Sequence, residues 1–195
     1  MDIRPVTLEG RHVRLEPLEL ERHWDGLRAV GLEPELWLHT TAVVRKEADL
    51  RRYLDKAIDE RDRGVSLPFA TIQRASGRVA GSTRFANIVP EHKRVEIGWT
   101  WLGGEFQRTA LNTEAKYLML RHAFEAWGCM RVELKTGRTN LKSQAAMLRL
   151  GLVHEGLFRK WMYTDTGTPR DTMWFSCIDD EWPVMKARLE GMLER

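Results

Sequence analysis

Gly103-Gly104-Glu105-Phe106-Gln107-Arg108-Thr109-Ala110-Leu111-Asn112 carries the chain out of a strand pattern and into the helical pattern that opens with Thr113-Glu114-Ala115. Before this junction, residues 94–102 alternate as a strand, with Val95, Ile97, Trp99 and Trp101 assigned to one face. After it, the spacing predicts a helix over 113–127 with Asn112 as N-cap. A strand over 131–136 and a helix over 141–150 follow, the helix stopped by Gly151. A loop that delivers the chain to a helix start concentrates unpaired backbone N–H groups and the positive end of the helix dipole, which together favour an anion such as a pyrophosphate. Arg108 could add a charge-assisted contact, and Asn140, three residues before Ser143, marks a second helix start after a neighbouring strand. Both asparagines also read simply as helix caps, a role that needs no ligand.

Upstream, Val13 and Leu15 alternate with charged neighbours as a first strand, and helical spacing is expected over 20–30 and 47–63. Between those helices lies a loop with broken periodicity carrying Trp37 and His39. Strands over 69–74 and 79–88 are joined by a short Gly-containing turn and make an antiparallel meander with 94–102. Downstream, strands over 157–163 and 172–178 form a hairpin, and 179–195 is helical in pattern, with Pro183 tolerable in its first turn. The order implies an α+β architecture around one mixed, mostly antiparallel sheet.

A chain of 195 residues can bury a core as one domain without disulfides or metals. The two cysteines, Cys129 and Cys177, belong to no zinc or disulfide spacing, so no metal is expected. No apolar run suffices to span a bilayer, the N-terminus lacks a secretory pattern, and a cytoplasmic location is expected by default. Net charge is +3, from 31 Lys and Arg against 28 Asp and Glu, which tolerates a polyanionic ligand but is no nucleic-acid signature. The basic pairs Arg45-Lys46 and Arg51-Arg52 read as a solvated helix face.

Taken together, the junction 107–115, the strand over 131–136, Asn140-Leu141-Lys142-Ser143 and the Leu150-Gly151 stop resemble the GNAT N-acetyltransferases. Thr113-Glu114-Ala115, Asn140-x-x-Ser143 and Glu155-Gly156-x-x-Arg159 look most like the RimJ/RimL-type branch, the ribosomal-protein N-terminal acetyltransferases. The resemblance implies one domain over 1–195, a three-layer fold, and a sheet splayed into a V-shaped cofactor cleft. It implies acetyl-coenzyme A as acyl donor, and an amine-bearing acceptor as partner, most directly a protein N-terminal α-amine. Neither nucleic acid nor membrane is required, and a homodimer is compatible. Cofactor contacts are expected from Trp101, Leu102, Gln107, Arg108, Thr109, Ala110, Leu111, Asn112, Thr113, Asn140 and Ser143. Trp37 and His39 fall in the loop that covers the acceptor side in that family. Glu96 is expected as general base and Ser143 as donor to the departing thiolate; the same residues also read as a strand carboxylate opposite Arg84 or Arg94 and as a first-turn serine.

The chain departs from the family at Ala110 and Asn112, which stand at the small positions of its loop, and at Met147, which stands where many members carry a tyrosine acid. Rival readings are a small-molecule amine acetyltransferase, for an aminoglycoside, polyamine or amino acid, and a silent acyl-coenzyme A-binding module. A cationic acceptor would want an acidic cleft, for which Glu33, Glu35 and Glu96 are the sequence candidates.

Overall fold

The computed structural model describes residues 1–194. Its strands are β1 (Leu8–Glu9), β2 (Val13–Pro17), β3 (Ser66–Gln73), β4 (Val79–Val89), β5 (Arg94–Leu102), β6 (Arg131–Gly137), β7 (Val153–Tyr163) and β8 (Pro169–Ile178). Its helices are α1 (Leu20–Gly31), α2 (Glu47–Asp62), α3 (Ala110–Arg121), α4 (Leu141–Leu150) and α5 (Trp182–Leu193). The strands form one sheet in the order β1-β2-β3-β4-β5-β6-β8-β7. Neighbours are antiparallel except β5 and β6, which run parallel because α3 carries the chain back between them.

Successive side chains of a strand point to opposite faces, so β4 shows how the layers lie. The Phe85 ring packs on Trp127, just past α3, whereas the Arg84 guanidinium pairs with Glu60 of α2. Helices α1 and α2 therefore cover one face of the sheet and α3 the other, with α5 packed against α3. β3 is buried from Ser66 to Ile72, and its first three residues lie ahead of the expected start at 69 because Ser66 and Pro68 do not read as strand residues.

The hairpin strands also start earlier than the expected 157 and 172, at Val153 and Pro169, and three further expectations change. The helix expected to begin at Thr113 begins at Ala110, and its N-cap is Thr109, not Asn112; the extended Thr109 accepts the Leu111 N–H at 3.3 Å through its own hydroxyl. Asn112 then lies inside the first turn. The helix expected to run to 127 gives way after Arg121 to a π-helical turn, His122–Ala126, in which Trp127 N donates to His122 O at 3.0 Å. Finally, Val95, Ile97, Trp99 and Trp101 do not share a face. Trp99 takes φ 50 and the β4–β5 register breaks between Ser82 and Arg84, a bulge that moves the following side chains to the other side. Ile97, opposite Phe85, looks toward α3, whereas Trp101 packs 5.6 Å from Trp37 on the α1–α2 side.

Candidate functional site

β5 and β6 pair only at Arg94 with Arg131, Val95 with Val132 and Glu96 with Glu133. Beyond those pairs the strands diverge. The facing edges at 97–102 and 134–137 carry no ladder between them, a splay that the Trp99 bulge promotes by bending β5. Trp101 and Leu102 line the diverging stretch as buried residues. The first turns of α3 and α4 stand at its wide end, bridged by Gln107: its amide donates to Leu102 O at 2.7 Å, and its side-chain oxygen accepts from Lys142 at the start of α4.

The α3 entry is built by a tight turn. Arg108 adopts φ 58, a left-handed conformation that L side chains seldom take, and its own side chain is exposed. Ala110 is not among the positive-φ residues, so its methyl group is accommodated without strain. Leu111 and Thr113 are buried, Thr113 accepting from Arg149 of α4 at 3.1 Å, whereas Asn112 is half-buried and its amide makes no hydrogen bond among the described residues. Glu33 fixes the entry from outside by accepting the Gly104 N–H at 2.8 and 3.1 Å. Glu114, 4% exposed, fixes it from inside: its carboxylate accepts the N–H groups of Arg11, His12 and Val13 at 2.7, 2.6 and 2.6 Å. Asn140 caps α4 by accepting the Ser143 N–H at 3.1 Å, leaving its amide nitrogen and the Ser143 hydroxyl without a partner among the described residues.

On the α1–α2 face of the same gap, Glu96 is 6% exposed, not a surface carboxylate, and it is paired with neither Arg84 nor Arg94. Its Oε2 accepts from Asn87 at 2.6 Å and from Lys135 at 2.7 Å. Lys135 Nζ stands 3.8 Å from the centre of the Trp174 ring and 3.5 Å from Glu133. With Glu33 holding Gly104 and Glu96 paired to Lys135, two of the three acids considered for a cation-binding cleft are committed to internal partners.

Trp37 is 7% exposed, donates through Nε1 to Gly31 O at 2.9 Å and packs edge-on against Tyr53, so it forms the wall behind the site rather than an open aromatic floor. A short 3-10 turn at Pro34–Leu36 folds its loop inward. His39 is exposed and lines a cavity of about 570 Å³ between that loop and the β7–β8 hairpin, with Arg138, Lys160 and Arg170 among the other walls.

Lys116 is the residue that sequence reading missed most clearly. It is 5% exposed on α3, and its ammonium meets only hydroxyls, Thr100 at 2.5 Å and Thr83 at 3.4 Å, beside the bulge. Burial pulls its pKa down to about 7. Nothing in its neighbours' pattern signals this, because a lysine in an otherwise apolar helix stretch reads as a stem laid along the surface.

The acetyltransferase (GNAT) domain family matches residues 12–153. The structure of a GCN5-related N-acetyltransferase from Brucella melitensis is similar at 34% identity and TM-score 0.90, covering 97% of this chain and 86% of that one. YdaF of Bacillus subtilis, which carries the name of a ribosomal N-acetyltransferase, is 29% identical over 106 residues, 54% of this chain and 57% of YdaF, so less than two thirds of that relative is spanned. Mycobacterium smegmatis RimJ, solved in complex with CoA-disulfide, shares the fold at 22% identity and TM-score 0.78, over 97% of this chain and 96% of that one.

Proposed function

We propose, from the premise that this chain belongs to the acetyltransferase (GNAT) family, that it moves an acetyl group from acetyl-coenzyme A to a primary amine, foremost the α-amine of a protein N-terminus. The divergence of β5 and β6 beside the first turns of α3 and α4 carries this reading. Unpaired strand edges suit an amide-bearing arm such as pantetheine, which adds to a sheet through main-chain hydrogen bonds. Backbone N–H groups of the α3 first turn suit a pyrophosphate. Residues 101–102, 107–113, Asn140 and Ser143 would hold the donor, which supplies the acyl group as an activated thioester.

Glu96 takes the proton of the amine. Asn87 and Lys135 occupy its Oε2, which leaves Oε1, on the Gly98 side, as the free acceptor. An α-amine with pKa about 7.7–8.0 is already partly neutral, so a weak base suffices. The Ser143 hydroxyl, without a partner among the described residues, donates toward the departing sulfur. His39 borders the acceptor side, and Trp37 supports it through Trp101.

The test follows thiol release from acetyl-coenzyme A with free-N-terminus peptides, alongside calorimetric titration with coenzyme A. Binding with amine-dependent release is expected. No binding and no release with any amine would overturn the enzymatic reading; binding without release would reduce the chain to an acyl-coenzyme A-binding module.

A further inference from the structure

Three side chains that follow one another at every second position of β8, and so share one face of it, each leave a buried polar atom without a partner among the described residues: Arg170 Nε, Thr172 Oγ1 and Trp174 Nε1. The face is the one that carries Glu96, because Trp174 lies under the Lys135 ammonium that pairs with Glu96. Arg170 is the most telling of the three. Its guanidinium is half-buried, packs over Gly137 where β6 ends, and reaches Met162 Sδ at 3.8 Å, but no carboxylate of the described residues lies within ion-pair distance. Asp171, its neighbour, faces away: it accepts from Lys160 N at 2.8 Å and pairs with Arg138 at 3.5 Å.

Arg170 also lines the 570 Å³ cavity with Arg138, Lys160 and His39. Among its lining residues Arg138, Lys160 and Arg170 are cations, and the one acid, Asp171, is already paired with Arg138. A guanidinium presents a planar fork that matches a carboxylate, and a buried one left unpaired is costly. Burial does push the Arg170 pKa below its usual value, with the Glu96 charge acting against it, but the group stays a cation at any working pH. No residue of the α3 first turn lines the cavity, so an anion held there is distinct from a pyrophosphate at that turn.

We infer that Arg170 is a specificity-determining residue that receives a carboxylate of the acceptor, so that the favoured substrates are amines bearing a nearby carboxylate and not polycations. The inference rests on the acetyl-transfer reading and narrows it. Two sources share the chemistry: an acidic side chain near a peptide N-terminus and the α-carboxylate of a free amino acid.

Binding is measured first, by calorimetry with coenzyme A present, using Ser-Glu-Gly-Gly-amide, Ser-Gln-Gly-Gly-amide, Ser-Lys-Gly-Gly-amide and free glutamate. The expected order is Glu over Gln over Lys peptide. In Arg170→Met the Glu-over-Gln ratio should collapse by about thirtyfold, the low end for truncating one partner of a buried charge pair, with coenzyme A affinity retained. Arg170→Lys, which keeps the charge and loses the fork, should recover part of the ratio, and equal melting temperatures check that each variant folds. Tight binding of glutamate alone identifies the amino-acid source, and of the Glu peptide alone the peptide source. Equal binding of all probes, or preference for the Lys peptide, overturns the inference. Thiol release with the same panel separates the two claims: release without acidic preference leaves acetyl transfer standing, whereas acidic preference in binding without release leaves the subsite standing.

Discussion

Replacing Lys116 with Met should remove a specific pH dependence of stability. The folded-state pKa of about 7 lies below the 10.5 of the free side chain, so between those values the unfolded chain holds a proton that the folded chain does not. Stability therefore rises with pH across that range: the penalty of burying a cation is fully present below about pH 7 and is relieved above it. Two buried thiols act in the opposite sense. Cys129 is pushed up to about 11 and Cys177 to about 12 from 9.0, so above pH 9 the unfolded chain releases protons that the folded chain keeps, and stability falls. His122, lowered by burial from 6.5, adds its own rise only below that value. The window left to Lys116 is pH 7 to 8.5. Titration of one group between pKa 7 and 10.5 gives the native protein about 1.5–2 kcal/mol across it, or a melting shift of about 3–8 °C at this chain length. Urea unfolding followed by tryptophan fluorescence at pH 7.0, 7.75 and 8.5 reads the change directly. The Met variant should be flat across the window and more stable than the native chain at pH 7. A native protein that is flat there, or a variant that keeps the rise, refutes the assignment of a neutral buried amine.

Glu114→Gln should lower stability by about 3–5 kcal/mol, because two charge-assisted bonds become neutral and the amide NH₂ confronts a third backbone N–H; a melting temperature within 2 °C of the native value, about the shift of a single kcal/mol, would remove the carboxylate from its proposed role. Asn140→Asp keeps an acceptor for the Ser143 N–H while deleting the side-chain donor, so thiol release should fall at unchanged melting temperature. Lost stability with retained turnover would make Asn140 a cap alone. Glu96→Gln should reduce kcat by about 10²–10⁴ with coenzyme A affinity intact, read by steady-state kinetics and calorimetry. Near-normal turnover with an unaltered pH profile would move the proton acceptor elsewhere.

Most elements were legible because their periodicity is local. The bounds of β5 and α4 coincide with the expected 94–102 and 141–150; the element order identified the mixed, mostly antiparallel α+β sheet, and the family resemblance implied its splay. What the pattern missed depends on partners distant in the chain. β1 is two residues long and exists because Glu114, about a hundred positions away, gathers the turn that follows it. The start of α3 was placed three residues late because Asn112 is a good cap by type, whereas the conformation that begins the helix is set by Arg108 and Thr109.

The site was legible as a region and less so as chemistry. Glu96 could be picked out as a carboxylate on the strand beside the cleft, but Lys135 and Asn87 reach it from β6 and β4, and no spacing in one strand announces a cross-sheet pair. The single feature that reorganises the site is the bulge at Trp99. By inserting one residue, it sends Trp101 toward Trp37, turns Thr100 toward α3 where Lys116 awaits it, and bends β5 away from β6. An alternating pattern continued through 99 assigns the wrong face to every later side chain of the strand, which is why the Trp101 contact and the Lys116 contact were both hidden. The bulge thus couples the two faces: a substitution that loosens Lys116 from Thr100 acts on the strand whose other side holds Glu96, although the two side chains never meet.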